Sequence, residues 1–143
     1  MAVALTTMAG VILLVYSLYF TRIIKGNPQM FELELLKALA DWMISKGPAS
    51  RNHIRIMLLL SVLLEGAYFL LAIFLVSNIV MQFFTGMLAG VEIIHLLTMA
   101  INFSRFFRGK IVLKNIFNWH LERISALLLF THALLVLVVL ICF

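Results

Sequence analysis

Glu92 and His95 stand three residues apart in the stretch GMLAGVEIIHLL at 86–97, inside a long apolar run. On a helix their side chains lie about 60° apart around the axis, so both look into one cleft. Thr98, Met99 and Asn102 extend that face. Glu65 lies deep in a second apolar run, with Ser61 and Tyr68 at its i−4 and i+3 positions and therefore on its face. His132 lies midway along a last apolar run, and Ser125 is two turns away on the same side. Glu65, Glu92, His95 and His132 are thus expected at similar depth on three different helices.

Four chemistries fit this set. Acid and imidazole can satisfy one another and fix helix packing, the structural role of buried polar groups in an apolar bundle. They can form a proton or cation relay, because His changes protonation near neutral pH and chains of Glu and His serve that purpose in membranes. Two neutral imidazoles on facing helices can ligate haem b, with His95 and His132 as one pair and His53 and His120 as another. Finally, Glu92-x-x-His95 matches the carboxylate step of di-iron bundles, although one chain supplies only one such step and a second copy would have to supply the other.

These residues need elements to hold them, and composition says which. Of 143 residues, 64% are hydrophobic and only 12% charged. A soluble domain of this size rarely exceeds half apolar, so the composition indicates a membrane protein. Spanning helices need about 20 mostly apolar residues. The runs that qualify predict helices at about 2–24, 54–76, 79–103 and 120–143. Lipid-exposed backbone must satisfy its own hydrogen bonds, and the alternation of a membrane barrel is absent, so helices are expected rather than strands.

Local signals mark the boundaries. Ser77-Asn78 is the only turn signal between the second and third runs, and without it one helix would be far longer than the hydrocarbon thickness. The third helix is expected to end near Gly109, and Asn115 or Asn118 to cap the fourth. Residues 28–46 are expected to form an amphipathic interfacial helix: Asn27 is a good N-cap, Pro28 suits the first turn, and Gly47-Pro48 is a stop signal. Leu33, Leu36, Ala40 and Met43 share one side, widened by Leu35, Leu39 and Trp42, while Glu34, Lys37, Asp41 and Ser45 line the other. The expected fold is an all-α, four-transmembrane-helix bundle in one domain, 1–143, with this helix between the first and second spans.

Orientation follows from charge. All 11 basic residues flank or fill the first and third connections. The positive-inside rule then places those connections in the cytoplasm and both termini outside, most simply in the plasma membrane. Eleven basic against four acidic side chains (Glu32, Glu34, Asp41 and Glu122) give that side a local excess of +7, which favours an anionic lipid surface. The first run lacks a positive leader and is long enough to span, so it reads as a retained helix rather than a cleaved signal. On the third helix, Gly86 and Gly90 form a GxxxG pair pointing away from Glu92 and His95, a surface on which another helix could pack closely.

Other functions find no motif. There is no Gly-rich phosphate loop, no HExxH and no Ser/His/Asp set, so no catalytic residues are assigned. The basic balance has no aromatic and basic run suited to nucleic acid; RFFRGK at 105–110 reads as an interfacial anchor. The expected function is that of a small membrane protein handling protons or cations, working as a homo-oligomer or with other membrane subunits. A haem b anchor and a scaffold without chemistry are the alternatives.

Overall fold

The computed structural model describes residues 1–142 and is all α apart from short connections. Helix α1 spans Ala2–Lys25, α2 Pro28–Lys46, α3 Ser50–Leu75, α4 Ile79–Phe107 and α5 Trp119–Cys142. Four helical runs, with α3 supplying the apolar part of the second, are long and apolar enough to cross a membrane. Phe143, the expected end of the last span, lies outside the described residues.

The punctuation residues act as their chemistry dictates. Asn27 Oδ1 accepts from Gln29 N at 3.0 Å, with Pro28 in the first turn of α2. Asn78 Oδ1 accepts from Val80 N and Met81 N, which starts α4 three residues after α3 ends. Asn118 rather than Asn115 caps α5, accepting from Leu121 N at 3.3 Å. Helix α4 extends beyond the apolar run at 79–103 and ends at Phe107, close to the expected stop, where the chain turns through Gly109 at φ 71. Gly47, at φ 57, ends α2 in the left-handed region that favours glycine.

That glycine turns the chain. Trp42 and His53 stack edge-on with ring centroids 6.1 Å apart. On one straight helix, eleven residues would separate them by about 16 Å. Helix α2 therefore folds against the bundle instead of continuing into α3. Leu39, Trp42 and Met43 pack against Ile54, Phe103 and Ile116, and Phe31 meets Tyr19 of α1. Leu33 and Leu35, on the expected apolar side, are exposed, while Leu39 and Trp42 pack on the bundle.

The four long helices form a ring in which α1 packs on α5, α5 on α4, α4 on α3 and α3 on α1. Two apolar clusters close its ends. At the end that carries the basic connections, Ile54, Phe103 and Ile116 are buried. At the far end the buried set includes Leu5, Ala72, Val76, Met81 and Val136. The sequence-predicted polar residues lie between these clusters. The outer surface is apolar: Leu14, Leu64, Phe74, Phe83 and Ile94 are among many large side chains left exposed.

One expected packing surface is not used within the chain. Gly86 and Gly90 are exposed, and a Cβ added at either would meet nothing within 4 Å. The ring places α3 and α5 on other faces of α4, so the glycine face has no neighbour among the described residues.

Candidate functional site

The polar residues separate into two sites, stacked along the bundle. The lower site, nearer the basic end, joins α4 to α5. Ser125 Oγ donates to Glu92 Oε1 at 2.6 Å, and His95 Nδ1 lies 3.1 Å from Glu92 Oε2. The other ring nitrogen, His95 Nε2, lies 2.9 Å from Glu122 Oε1. One imidazole is therefore held between two carboxyls. Glu92 is buried, while His95 and Glu122 keep side-chain exposures of 13% and 21%.

Each contact needs its own proton. Glu92 Oε1 accepts from Ser125, and one hydrogen lies between Glu92 Oε2 and His95 Nδ1, on one atom or the other. A second proton must lie between Nε2 and Glu122, on one atom or the other. Without it a ring lone pair would face a carboxylate lone pair. Moving it between the two atoms leaves the total charge unchanged, and it is the proton on the open side. A cavity of about 340 Å³, lined by His95, Glu122, Ser125, Tyr16 and Tyr19 among others, opens there.

The upper site ties three helices together. Thr85 Oγ1 donates to the carbonyl of Met81 at 2.7 Å, which uses its only hydrogen. Its 2.7 Å contact with His132 Nε2 must then run from the ring, which assigns the hydrogen to Nε2. The lone pair of Nδ1 accepts from Tyr68 Oη at 2.7 Å. The chain Tyr68, His132, Thr85, Met81 is complete with a neutral imidazole, and it ends on a backbone carbonyl. Phe69 and Phe84 pack around the ring. His132 and Thr85 are almost fully buried.

Glu65 stands between the two levels. It is one helical turn below Tyr68 on α3, and its carboxyl is within electrostatic range of Glu92 and His95. Its Oε2 is buried without a hydrogen-bond partner among the described residues. Burying an oxygen this way costs free energy unless the group protonates or a partner reaches it.

The expectation of one Glu/His cluster is therefore corrected. Glu92 and His95 meet as predicted, whereas no hydrogen bond joins Glu65 to either. His132 belongs to the separate upper site. Ten residues of α5 separate it from Glu122, about 15 Å along the axis, whereas haem ligands face each other across one iron. His95 and His132 thus do not fit as axial partners, and hydrogen bonds engage both nitrogens of each ring. His53 and His120 are exposed; His53 Nδ1 donates to Ala49 O at 2.8 Å and its ring rests on Trp42. Neither lines the cavity at His95.

A metal centre fares similarly. Among the described residues no group of three or more His, Cys, Asp or Glu is arranged to hold an ion. Glu92 and Glu122 approach opposite nitrogens of His95, so their oxygens diverge instead of converging on a common point.

Sequence reasoning missed Glu122, which it left among the acids of the basic face, and Tyr16. A signal for Glu122 was present. Thr85, Glu92 and His95 are spaced by seven and three residues, and their partners His132, Ser125 and Glu122 repeat those steps in reverse order. Two antiparallel helices in fixed register require that mirror, since steps of seven and three keep side chains on one face.

The fold and site define an all-α chain with four potential membrane spans around an internal acid and imidazole pair. It matches no known protein family, and no curated protein or solved structure is similar to it.

Proposed function

We propose that this chain is an integral membrane protein with four spanning helices, and that its Glu92–His95–Glu122 relay carries protons between the basic face and Glu65. The observation that carries the reading is the imidazole of His95, bridged between two carboxyls with its Glu122 side on a cavity. A proton taken up at Glu122 passes to Nε2. A proton passed from Nδ1 to Glu92 Oε2 then makes that carboxyl the donor for onward transfer toward Glu65. Imidazole suits the step because one nitrogen can gain a proton as the other gives one up. Beyond Glu65, the upper chain ends on a carbonyl, and Leu5, Val76, Met81 and Val136 close the far end. The relay is thus open toward the basic face and closed toward the other in this conformation, so net flux requires the Leu5, Val76, Met81 and Val136 cluster to part during the cycle.

The membrane placement is supported by the outer surface. Besides its large exposed apolar side chains, four of its threonine hydroxyls are satisfied internally: Thr6, Thr7, Thr98 and Thr131 each donate to the carbonyl four residues back. These hydroxyls need no partner from a hydrocarbon solvent. Placing all the basic residues in the cytoplasm makes the cavity a cytoplasmic opening. The exposed Gly86 and Gly90 face suits close approach by a second copy or another membrane subunit.

Reconstitution into vesicles with an entrapped pH dye tests this reading. The parent protein is expected to dissipate an imposed pH gradient, and Glu92→Gln or His95→Ala to abolish the effect. No flux in the parent, or undiminished flux in both variants, overturns it. A scaffold role is the second reading, favoured by the closed chain at His132; it is supported if neither protein moves protons while both substitutions lower thermal stability.

A further inference from the structure

An apolar groove lies between α3 and α4 at the basic end, outside the polar sites. It has a volume of about 500 Å³. Arg51 and Arg55 stand at its mouth with Ser104, and Leu58, Val62 and Leu97 lie along its walls. Ala100 is the small residue that gives it depth. From Arg51 to Val62 the groove follows α3 for about 16 Å, close to one leaflet of a hydrocarbon core about 30 Å thick.

The mouth has an electrostatic asymmetry. Arg51 and Arg55 are one helical turn apart and exposed, an arrangement in which like charges repel. Neither pairs with a carboxylate among the described residues, and no acidic side chain lines the groove. Arg123, at the same end of the bundle, is by contrast paired with Glu32. An anion set between the two guanidiniums removes the repulsion, and guanidinium matches phosphate geometry. A free phosphate has no use for the apolar walls below.

We propose that the α3/α4 groove binds one anionic phospholipid, its phosphate held by Arg51 and Arg55 and an acyl chain lying along Leu58, Val62, Leu97 and Ala100. The site rests on the reading that the helices span a membrane. It is independent of the proton relay, because no groove residue belongs to either polar site.

Native mass spectrometry of the full chain in neutral detergent, offered equal amounts of phosphatidylglycerol and phosphatidylcholine with identical acyl chains, tests it. The parent is expected to retain phosphatidylglycerol preferentially. Arg51→Gln and Arg55→Gln are each expected to reduce that preference about fivefold. Ala100→Trp fills the groove and lowers retention of both lipids, whereas Lys110→Gln with Lys114→Gln changes neither. Equal retention of the two lipids by the parent overturns the proposal, as does parental retention by Ala100→Trp. Displacement by millimolar inorganic phosphate reduces the site to a headgroup contact and also overturns it. A loss in the lysine variant equal to that in the arginine variants makes the effect diffuse charge and does the same. Alkaline carbonate extraction of cell membranes separates the two levels of failure. Release of the chain into the soluble fraction sinks the membrane reading itself, while a membrane-retained chain without lipid preference sinks only the groove.

Discussion

His95 and His132 sit in one bundle, on facing helices, and are wired in opposite ways. His132 meets two hydroxyls, one of which must accept from it and the other donate to it, so a neutral ring satisfies every contact. His95 meets two carboxyls, so each nitrogen contact needs its own proton. The upper ring is locked in one tautomer by partners that have no proton to spare. The lower ring shares a proton that has two places to sit. Whether a histidine inside the bundle is held in one tautomer or shares a proton is thus decided by the hydrogen count of its neighbours, not by depth or by residue type.

Substitutions can break that comparison. The largest effect is expected for His95→Ala, which removes the imidazole that joins Glu92 to Glu122. Proton flux should fall by about 100-fold or more, the scale of a lost acid–base group. Flux in vesicles measures it, and retention of more than a tenth of the parental rate would count against the relay. Next is His132→Leu, similar in size but unable to hydrogen-bond. It strands the Tyr68 hydroxyl and one lone pair of Thr85, and should lower stability by about 2–3 kcal/mol while leaving flux within twofold. Thermal unfolding in detergent checks the first half; a loss of flux equal to that of His95→Ala would erase the distinction between the rings.

Glu122→Gln sharpens the comparison. The amide oxygen can still accept from Nε2, so stability should change by less than about 0.5 kcal/mol. The second site for the shared proton is gone, however, and flux should drop by about tenfold. Unchanged flux would move proton uptake to another residue. The smallest effect is expected for Arg123→Gln, which breaks the half-exposed pair with Glu32 that tethers α2 to α5. Such pairs contribute about 0–1 kcal/mol. A loss of several kcal/mol on unfolding would mean that α2 is held mainly by charge, not by Leu39 and Trp42.

The sequence made the caps readable. Asn27, Asn78 and Asn118 cap their helices because a short side-chain acceptor before an apolar run has few other uses. Glu92 and His95 were legible as a pair because their contact is local, set by the helical repeat alone. Glu122 was not, because its partner is 27 residues away and the intervening turn decides which residues face each other. The same limit applied to Gly86 and Gly90. A small-residue face can be recognised from spacing, but nothing in the spacing says whether a neighbour comes to it.

Hydrophobic run lengths, turn residues and the one-sided placement of basic side chains set the helices, their boundaries and the end at which charge collects. Those are consequences of local chemistry and of the backbone's need to satisfy itself. What the tertiary structure alone decided is register. By sliding α5 along α4 until Glu122 met His95 and His132 met Thr85, it divided one apparent cluster into a proton-sharing site and a closed tie. A slide of one turn would have parted His95 from Glu122 and His132 from Thr85 while leaving every helix where the sequence put it.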